Sequence, residues 1–286
     1  LPPGRAGVYR PRVFTFAKYT GAGNDFVIAR ADARSDAIGP ALARRLCARR
    51  TGVGVDGLIL VYPRPDGIRV RFFNPDGSEF STCGNGSRCA AAFAADEGLG
   101  DPAGFVLETP AGEIGCRIEG DRVTLDYRIQ VSIKGPIEAE GPAAPAEGWL
   151  VRIGVPHFVL PVETLPAGPI EEICRPIRKM RSLGPAGANV NLVALDAPGS
   201  GAVRTFERGV EGETLACGSG SMASVFALRA AGRSGSRLAL RVRGGDVLDI
   251  RIVDETPPDG SERHVRLAGP AFRLFEGTFP DTVLAP

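Results

Sequence analysis

At 286 residues, 43% hydrophobic and 23% charged, the chain has the composition of a water-soluble protein with one large domain or two ordinary ones. A formal net charge of +1 leaves no broad positive field, so neither nucleic acid nor a membrane is expected as a partner. No apolar run approaches the ~18 residues of a membrane span and no signal peptide is visible, so a cytoplasmic location is expected.

Residues 1–12 read as a tail of unassigned purpose. Apolar patterning then predicts strands over 13–19 and 26–31, a helix over 40–50, and strands over 58–62 and 68–73. An alanine-rich helix is expected over 87–97, closed by Gly98, followed by strands over 105–108, 113–118 and 122–127. The Gly- and Pro-rich stretch 135–148 reads as a loop marking a domain junction. Beyond it the scheme repeats, with strands over 149–153 and 158–162, a helix near 170–180, strands over 190–195 and 203–206, and a helix over 219–231. Strands over 238–242, 247–253, 265–267 and 272–275 complete the chain.

Two segments make the repetition specific. Phe73-Asn74-Pro75-Asp76-Gly77 leads to Cys83-Gly84-Asn85-Gly86-Ser87, and Phe206-Glu207-Arg208-Gly209 leads to Cys217-Gly218-Ser219-Gly220-Ser221. Each is a strand, a polar turn, a Cys-Gly-x-Gly-Ser motif and a helix of small residues. Such internal repetition points to two like-folded halves related by a pseudo-twofold.

Glycines at a helix entry let the backbone approach a ligand closely, and the free N–H groups there favour negative charge, whether a ligand carboxylate or a thiolate. A structural cysteine beside a tight turn is the ordinary reading of one such motif. Its recurrence makes Cys83 and Cys217 the candidate reactive pair, each placed to ionise. Cys47, Cys89, Cys116 and Cys174 read as structural. Two such helices meeting across a pseudo-twofold would hold a small anion and aim one thiol at each face of a stereocentre. Removing a proton from one face and returning one to the other is the chemistry of a cofactor-independent racemase or epimerase, and the shared carboxylate site would stabilise the developing charge.

Other chemistries lack their parts. Gly52-Val53-Gly54-Val55-Asp56-Gly57 spells a dinucleotide fingerprint but follows a helix and precedes a strand, the reverse of the required order. No C-x-x-C occurs, and His157 and His264 are the only imidazoles, so no metal is expected. Lys18, Lys134 and Lys179 all lie outside phosphate-binding contexts, which argues against pyridoxal phosphate, and no cofactor is expected. His157 would by default be a satisfied histidine at a strand start, but in so histidine-poor a chain it is also a candidate to tune the thiols. Glu207 and Arg208 form either a solvated pair or a substrate contact, and Arg208 suits a bidentate carboxylate.

With these motifs assembled, the chain resembles the diaminopimelate epimerase family. The resemblance runs from Phe16-Ala17-Lys18-Tyr19-Thr20-Gly21-Ala22-Gly23-Asn24-Asp25-Phe26 through Cys83-Gly84-Asn85-Gly86-Ser87-Arg88-Cys89 and Glu213-Thr214-Leu215-Ala216-Cys217-Gly218-Ser219-Gly220 to Gly269-Pro270-Ala271. It implies an α/β (α+β) fold of two pseudo-symmetric halves, each a curled, mostly antiparallel sheet around a central helix, with the active site in the cleft between them. The halves would be 1–127 plus 271–286, carrying Cys83, and 128–270, carrying Cys217. The resemblance also implies a homodimer that interconverts LL- and meso-diaminopimelate, without cofactor or metal, on the route to lysine and peptidoglycan. Cys83 and Cys217 match the catalytic cysteines, and Gly84, Asn85, Gly218 and Ser219 match the cradle for the reacting carboxylate. Asn24, Asn74, Asn189, Glu207 and Arg208 match substrate contacts, and His157 with Glu207 matches the pair that tunes the thiols. Val155 stands where the family often has asparagine, and Gly57 where some members have glutamine. The alternatives are a same-fold racemase or epimerase acting on a proline-type or basic amino acid, a Cys–His hydrolase, and a binding protein without turnover.

Overall fold

The computed structural model describes residues 13–141, 146–254 and 262–280, so the tail 1–12 lies outside the described residues. The first half runs β1 (Val13–Gly21), β2 (Asn24–Arg30), α1 (Ala33–Ala37), α2 (Gly39–Cys47), β3 (Gly57–Arg64), β4 (Gly67–Phe73), β5 (Glu79–Phe80), α3 (Gly84–Asp96), β6 (Phe105–Thr109), β7 (Gly112–Glu119) and β8 (Arg122–Glu138). The second runs β9 (Glu147–Ile153), β10 (Val155–Pro161), α4 (Glu171–Arg178), β11 (Asn189–Ala197), β12 (Ser200–Glu207), β13 (Gly212–Thr214), α5 (Gly218–Ala230), β14 (Arg237–Arg241), β15 (Val247–Ile252) and β16 (Glu262–Pro270). The final strand, β17 (Phe272–Pro280), returns to pair antiparallel with β1.

The two halves have the same connectivity. β2 and β3 are parallel, as are β10 and β11, and β4 and β6 are parallel, as are β12 and β14. Among the described residues all other pairs are antiparallel. β8 serves both halves. Its first residues pair with β7, Val131–Glu138 pair with β9, and Arg122–Gln130 pair with β16. Strands β9 to β16 thereby close a ring through β8 around α5, while β17 and β1 to β8 curl around α3.

Burial explains the patterns. Leu58, Ile59, Leu60 and Val61 are all fully buried because β3 is covered on both faces. Ile59 and Val61 pack on the α3 side, and Leu58 and Leu60 meet Leu42 and Leu46 of α2. β11 repeats this, with Val193 on the α5 side and Val190 and Leu192 against Ile177 of α4. The central helices are buried all round, which is why they are built of Ala, Gly and Ser.

The structure corrects the sequence reading in two places, the 135–148 segment and the starts of the central helices. The expected loop at 135–148 is partly strand, since β8 continues to Glu138, where pairing with β9 outweighs the Gly-Pro signal and the register shift between Lys134 and Ile137 absorbs the proline. The division expected after Tyr127 lies within β8, the strand that pairs with both halves. The central helices begin at Gly84 and Gly218, earlier than expected, so the Gly-x-Gly residues are the first helical turn itself.

Candidate active site

Cys83 and Cys217 are the N-cap residues of α3 and α5, both extended, with φ/ψ of −150°/115° and −132°/107°. The Gly86 N–H donates to Cys83 Sγ at 3.4 Å, and Cys217 Sγ lies 3.5 Å from Ser219 Oγ. The two helix starts face each other. A Cβ placed on Gly218 would lie 4.0 Å from Gly84 Cα, so both sets of free N–H groups border one space.

On the first-half side a hydrogen-bonded chain runs behind this space. Asn24 Nδ2 donates to Asp56 at 3.0 Å, Asn85 Nδ2 donates to Asn24 Oδ1 at 2.6 Å, and Arg88 Nη2 donates to Asn85 Oδ1 at 2.8 Å. The Gly52–Gly57 segment, lying between α2 and β3 as expected of a false fingerprint, thus supplies Asp56 as an anchor. At Gly57 a Cβ would come 2.9 Å from the Phe73 carbonyl, so a glutamine does not fit there without movement.

On the second-half side, Thr214 Oγ1 donates to Glu207 Oε1 at 2.6 Å, and the Glu207 carboxyl also meets the Cys217 thiol. His157 is fully buried in β10, with Nδ1 at 3.3 Å from Asn191 Nδ2. Its Nε2 has no partner among the described residues. Asn191 also accepts from Thr205 Oγ1 at 3.0 Å and crowds Gly220, where a Cβ would overlap Asn191 Oδ1 and sit 3.3 Å from Cys217 Sγ. Asn191 therefore stands between His157 and the start of α5. Asn189 Oδ1 accepts the Arg208 backbone N–H at 2.8 Å, and the Arg208 charge acts on His157.

Of the sequence-derived candidates, Asn24, Cys83, Gly84 and Asn85 gather at the start of α3, and Glu207, Cys217, Gly218 and Ser219 at the start of α5. Asn74 instead donates to Ser78 Oγ at 2.9 Å within its own turn. Val155, where the family often has asparagine, is exposed at the start of β10. Arg88, Asn191, Thr214 and Tyr127, whose hydroxyl lies 3.5 Å from the Cβ position of Gly84, carry no sequence-derived role. The signals for two of them are nonetheless present: an arginine inside an alanine-rich helix and an asparagine within an apolar strand.

Electrostatics qualify the expectation that both cysteines ionise readily. Burial pushes both thiols up, Cys217 to about 12 with Glu207 adding to the rise. At Cys83 the Gly86 and Asn85 amides and the Arg88 charge oppose that rise. Burial also raises Glu207 and lowers His157 to about 3, so His157 is neutral near pH 7. Among the described residues no cluster of three or more Cys, His, Asp or Glu side chains is arranged to hold a metal.

Against known proteins, a family model described as diaminopimelate epimerase matches residues 16–131 and 149–264. The chain is 37% identical to the diaminopimelate epimerase of Gemmatimonas aurantiaca, over 86% of this chain and 91% of that protein. It is 39% identical to the diaminopimelate epimerase of Desulforudis audaxviator, over 92% of this chain and 98% of that one. Among solved structures, a probable proline racemase from Agrobacterium radiobacter K84 superposes with a TM-score of 0.69 at 17% identity, covering 92% of each chain. A hydroxyproline epimerase from Agrobacterium vitis gives 0.66 at 18% identity, covering 94% of this chain and 91% of that one. At such identities these two structures speak to the fold alone.

Proposed function

From a chain that belongs to the diaminopimelate epimerase family, we infer an isomerase that inverts one α-carbon of diaminopimelate, interconverting the LL and meso forms for lysine and peptidoglycan synthesis. One thiol removes the α-proton while the other delivers a proton to the opposite face, and the roles exchange in reverse. The observation that supports this reading is the meeting of the two helix starts at Gly84 and Gly218, each capped by a cysteine, Cys83 and Cys217. The backbone N–H groups of Gly84, Asn85, Gly218 and Ser219 would receive the reacting carboxylate and stabilise the carbanionic charge.

In this reading Asn24, Asn74, Asn189, Glu207 and Arg208 contact the substrate, and His157 and Glu207 tune the thiols. The functional halves are 1–127 with 271–286, and 128–270, joined through β8. We place the enzyme in the cytoplasm, where the six free thiols would stay reduced. It would act as a homodimer, for which the half-exposed Phe272, Leu274 and Phe275 of β17 offer an apolar face. Incubation with LL-diaminopimelate, followed by chromatographic separation of stereoisomers, tests the activity. The meso form should accumulate to equilibrium. Inversion of proline or a basic amino acid, with diaminopimelate untouched, would assign the fold another substrate.

A further inference from the structure

The two halves repeat each other, but the groups around their thiols differ in charge. Arg88 stands five residues after Cys83, and the residue five after Cys217 is Met222. Glu207 follows Phe206 at the end of β12, and the residue following Phe73 at the end of β4 is Asn74. The first thiol thus has an extra cation on its own helix and the second an extra carboxylate against it, while Arg208, which stands where the first half has Pro75, puts its charge on His157.

Arg88 is wholly buried and forms no ion pair among the described residues. Its guanidinium donates to three neutral acceptors, Pro270 O at 3.3 Å, Gly84 O at 3.4 Å and Asn85 Oδ1 at 2.8 Å. A guanidinium stays charged in a protein, and a buried charge without a counter-ion is costly. The groups whose charge it feels are Cys89, Tyr127 and Cys83 around the start of α3, in that order, and Asp246 from the β14–β15 turn. Burial raises Cys89, Tyr127 and Cys83 alike, but only at Cys83 do hydrogen bonds, from the Gly86 and Asn85 amides, oppose it, which makes Cys83 the ionisable partner on its own helix start. Cys217 faces Glu207 and Cys83, both of which disfavour its anion, against the Ser219 hydroxyl and Gly220 amide that favour it; Glu207 also disfavours the Cys83 anion, but there the Arg88 charge outweighs it. His157, neutral and linked through Asn191, adds no positive charge on that side.

We propose that Arg88 breaks the pseudo-twofold at the reacting centre, making Cys83 the thiol that gives up its proton first and Cys217 the one that keeps it, so that the resting enzyme is poised with Cys83 as base. Arg88 is a positioning residue. It acts through Cys83, and through Asn85 it also fixes the amide chain that ends at Asp56. The inference rests on the two-thiol reading above.

The test is alkylation by iodoacetamide across a pH series, with peptide mapping to follow Cys83 and Cys217 separately. Labelling needs no turnover, so its result is independent of whether diaminopimelate is the substrate. In the unaltered protein Cys83 should reach half-maximal labelling about one pH unit or more below Cys217, a preference of about tenfold. Arg88→Met should raise the Cys83 midpoint by about a unit and leave Cys217 where it was or lower, and Arg88→Lys should restore most of the shift. A folded Arg88→Met protein with an unchanged Cys83 midpoint would overturn the proposal. Should that variant not fold, the unaltered protein decides alone, since Cys217 titrating with or before Cys83 contradicts the assignment.

Discussion

Glu207 accepts a hydrogen bond from the Thr214 hydroxyl at 2.6 Å, which holds its carboxyl against the thiol of Cys217. A carboxylate fixed there keeps the Cys217 proton in place. The rate should depend on pH as a bell, because one thiol must be ionised and the other protonated, and the two limbs belong to the pair. Glu207→Gln removes the charge that raises Cys217, so the high-pH limb of kcat/KM should move to lower pH. The maximum should fall by on the order of tenfold to a thousandfold. A superimposable profile in the variant would detach Glu207 from the thiol.

His157 makes stability depend on pH in a direction fixed by its burial. Its folded value, about 3, lies below the ~6.5 of an unfolded chain. Between those values the unfolded state binds the extra proton, so stability falls as pH drops from ~6.5 toward the folded value, by up to about 1.4 kcal/mol per pH unit. Urea unfolding at pH 7, 6 and 5 should show this slope, and His157→Asn should flatten it by about one proton. Equal slopes in both proteins would mean that His157 is not held neutral.

Gly220→Ala tests the packing between Asn191 and Cys217. Its new methyl would overlap Asn191 Oδ1 and press on Cys217 Sγ. The variant should lose about 1–3 kcal/mol in denaturant unfolding and also turn over more slowly. Full stability and rate together would show that this corner yields to an added methyl.

Cys89 sits six residues beyond Cys83 but faces the packing between α3 and β1, where its Sγ is 2.9 Å from the Cβ position of Gly21. Cys89→Ala should therefore keep its activity and lose about 1 kcal/mol of stability, measured by initial rates and thermal unfolding. A dead but folded variant would give Cys89 a role in the reaction rather than in packing.

The repeated Cys-Gly-x-Gly motif makes the pairing of α3 and α5 legible in the sequence, because a glycine-rich helix entry is a local device. The same is true of β3, whose uninterrupted apolar run Leu58-Ile59-Leu60-Val61 announces cover on both faces. Long-range partners are not legible in this way. The Gly135-Pro136 pair reads as a chain break until β9 is there to hold β8 in extension. Asn191 looks like a lone polar residue in a strand until the fold brings His157 and Thr205 to its amide. Arg88 is visible in the motif, but its lack of a carboxylate partner among the described residues is a property of the packed core.

The most direct measurement follows deuterium into diaminopimelate in heavy water, with the unaltered protein and with Cys83→Ala and Cys217→Ala. The unaltered protein should place one deuterium on the inverted α-carbon as the meso form appears from the LL form. Each single variant should fold normally and invert nothing, because each face of the stereocentre then lacks its only acid or base. Inversion with solvent deuterium at an unreduced rate in either variant would contradict the two-thiol account.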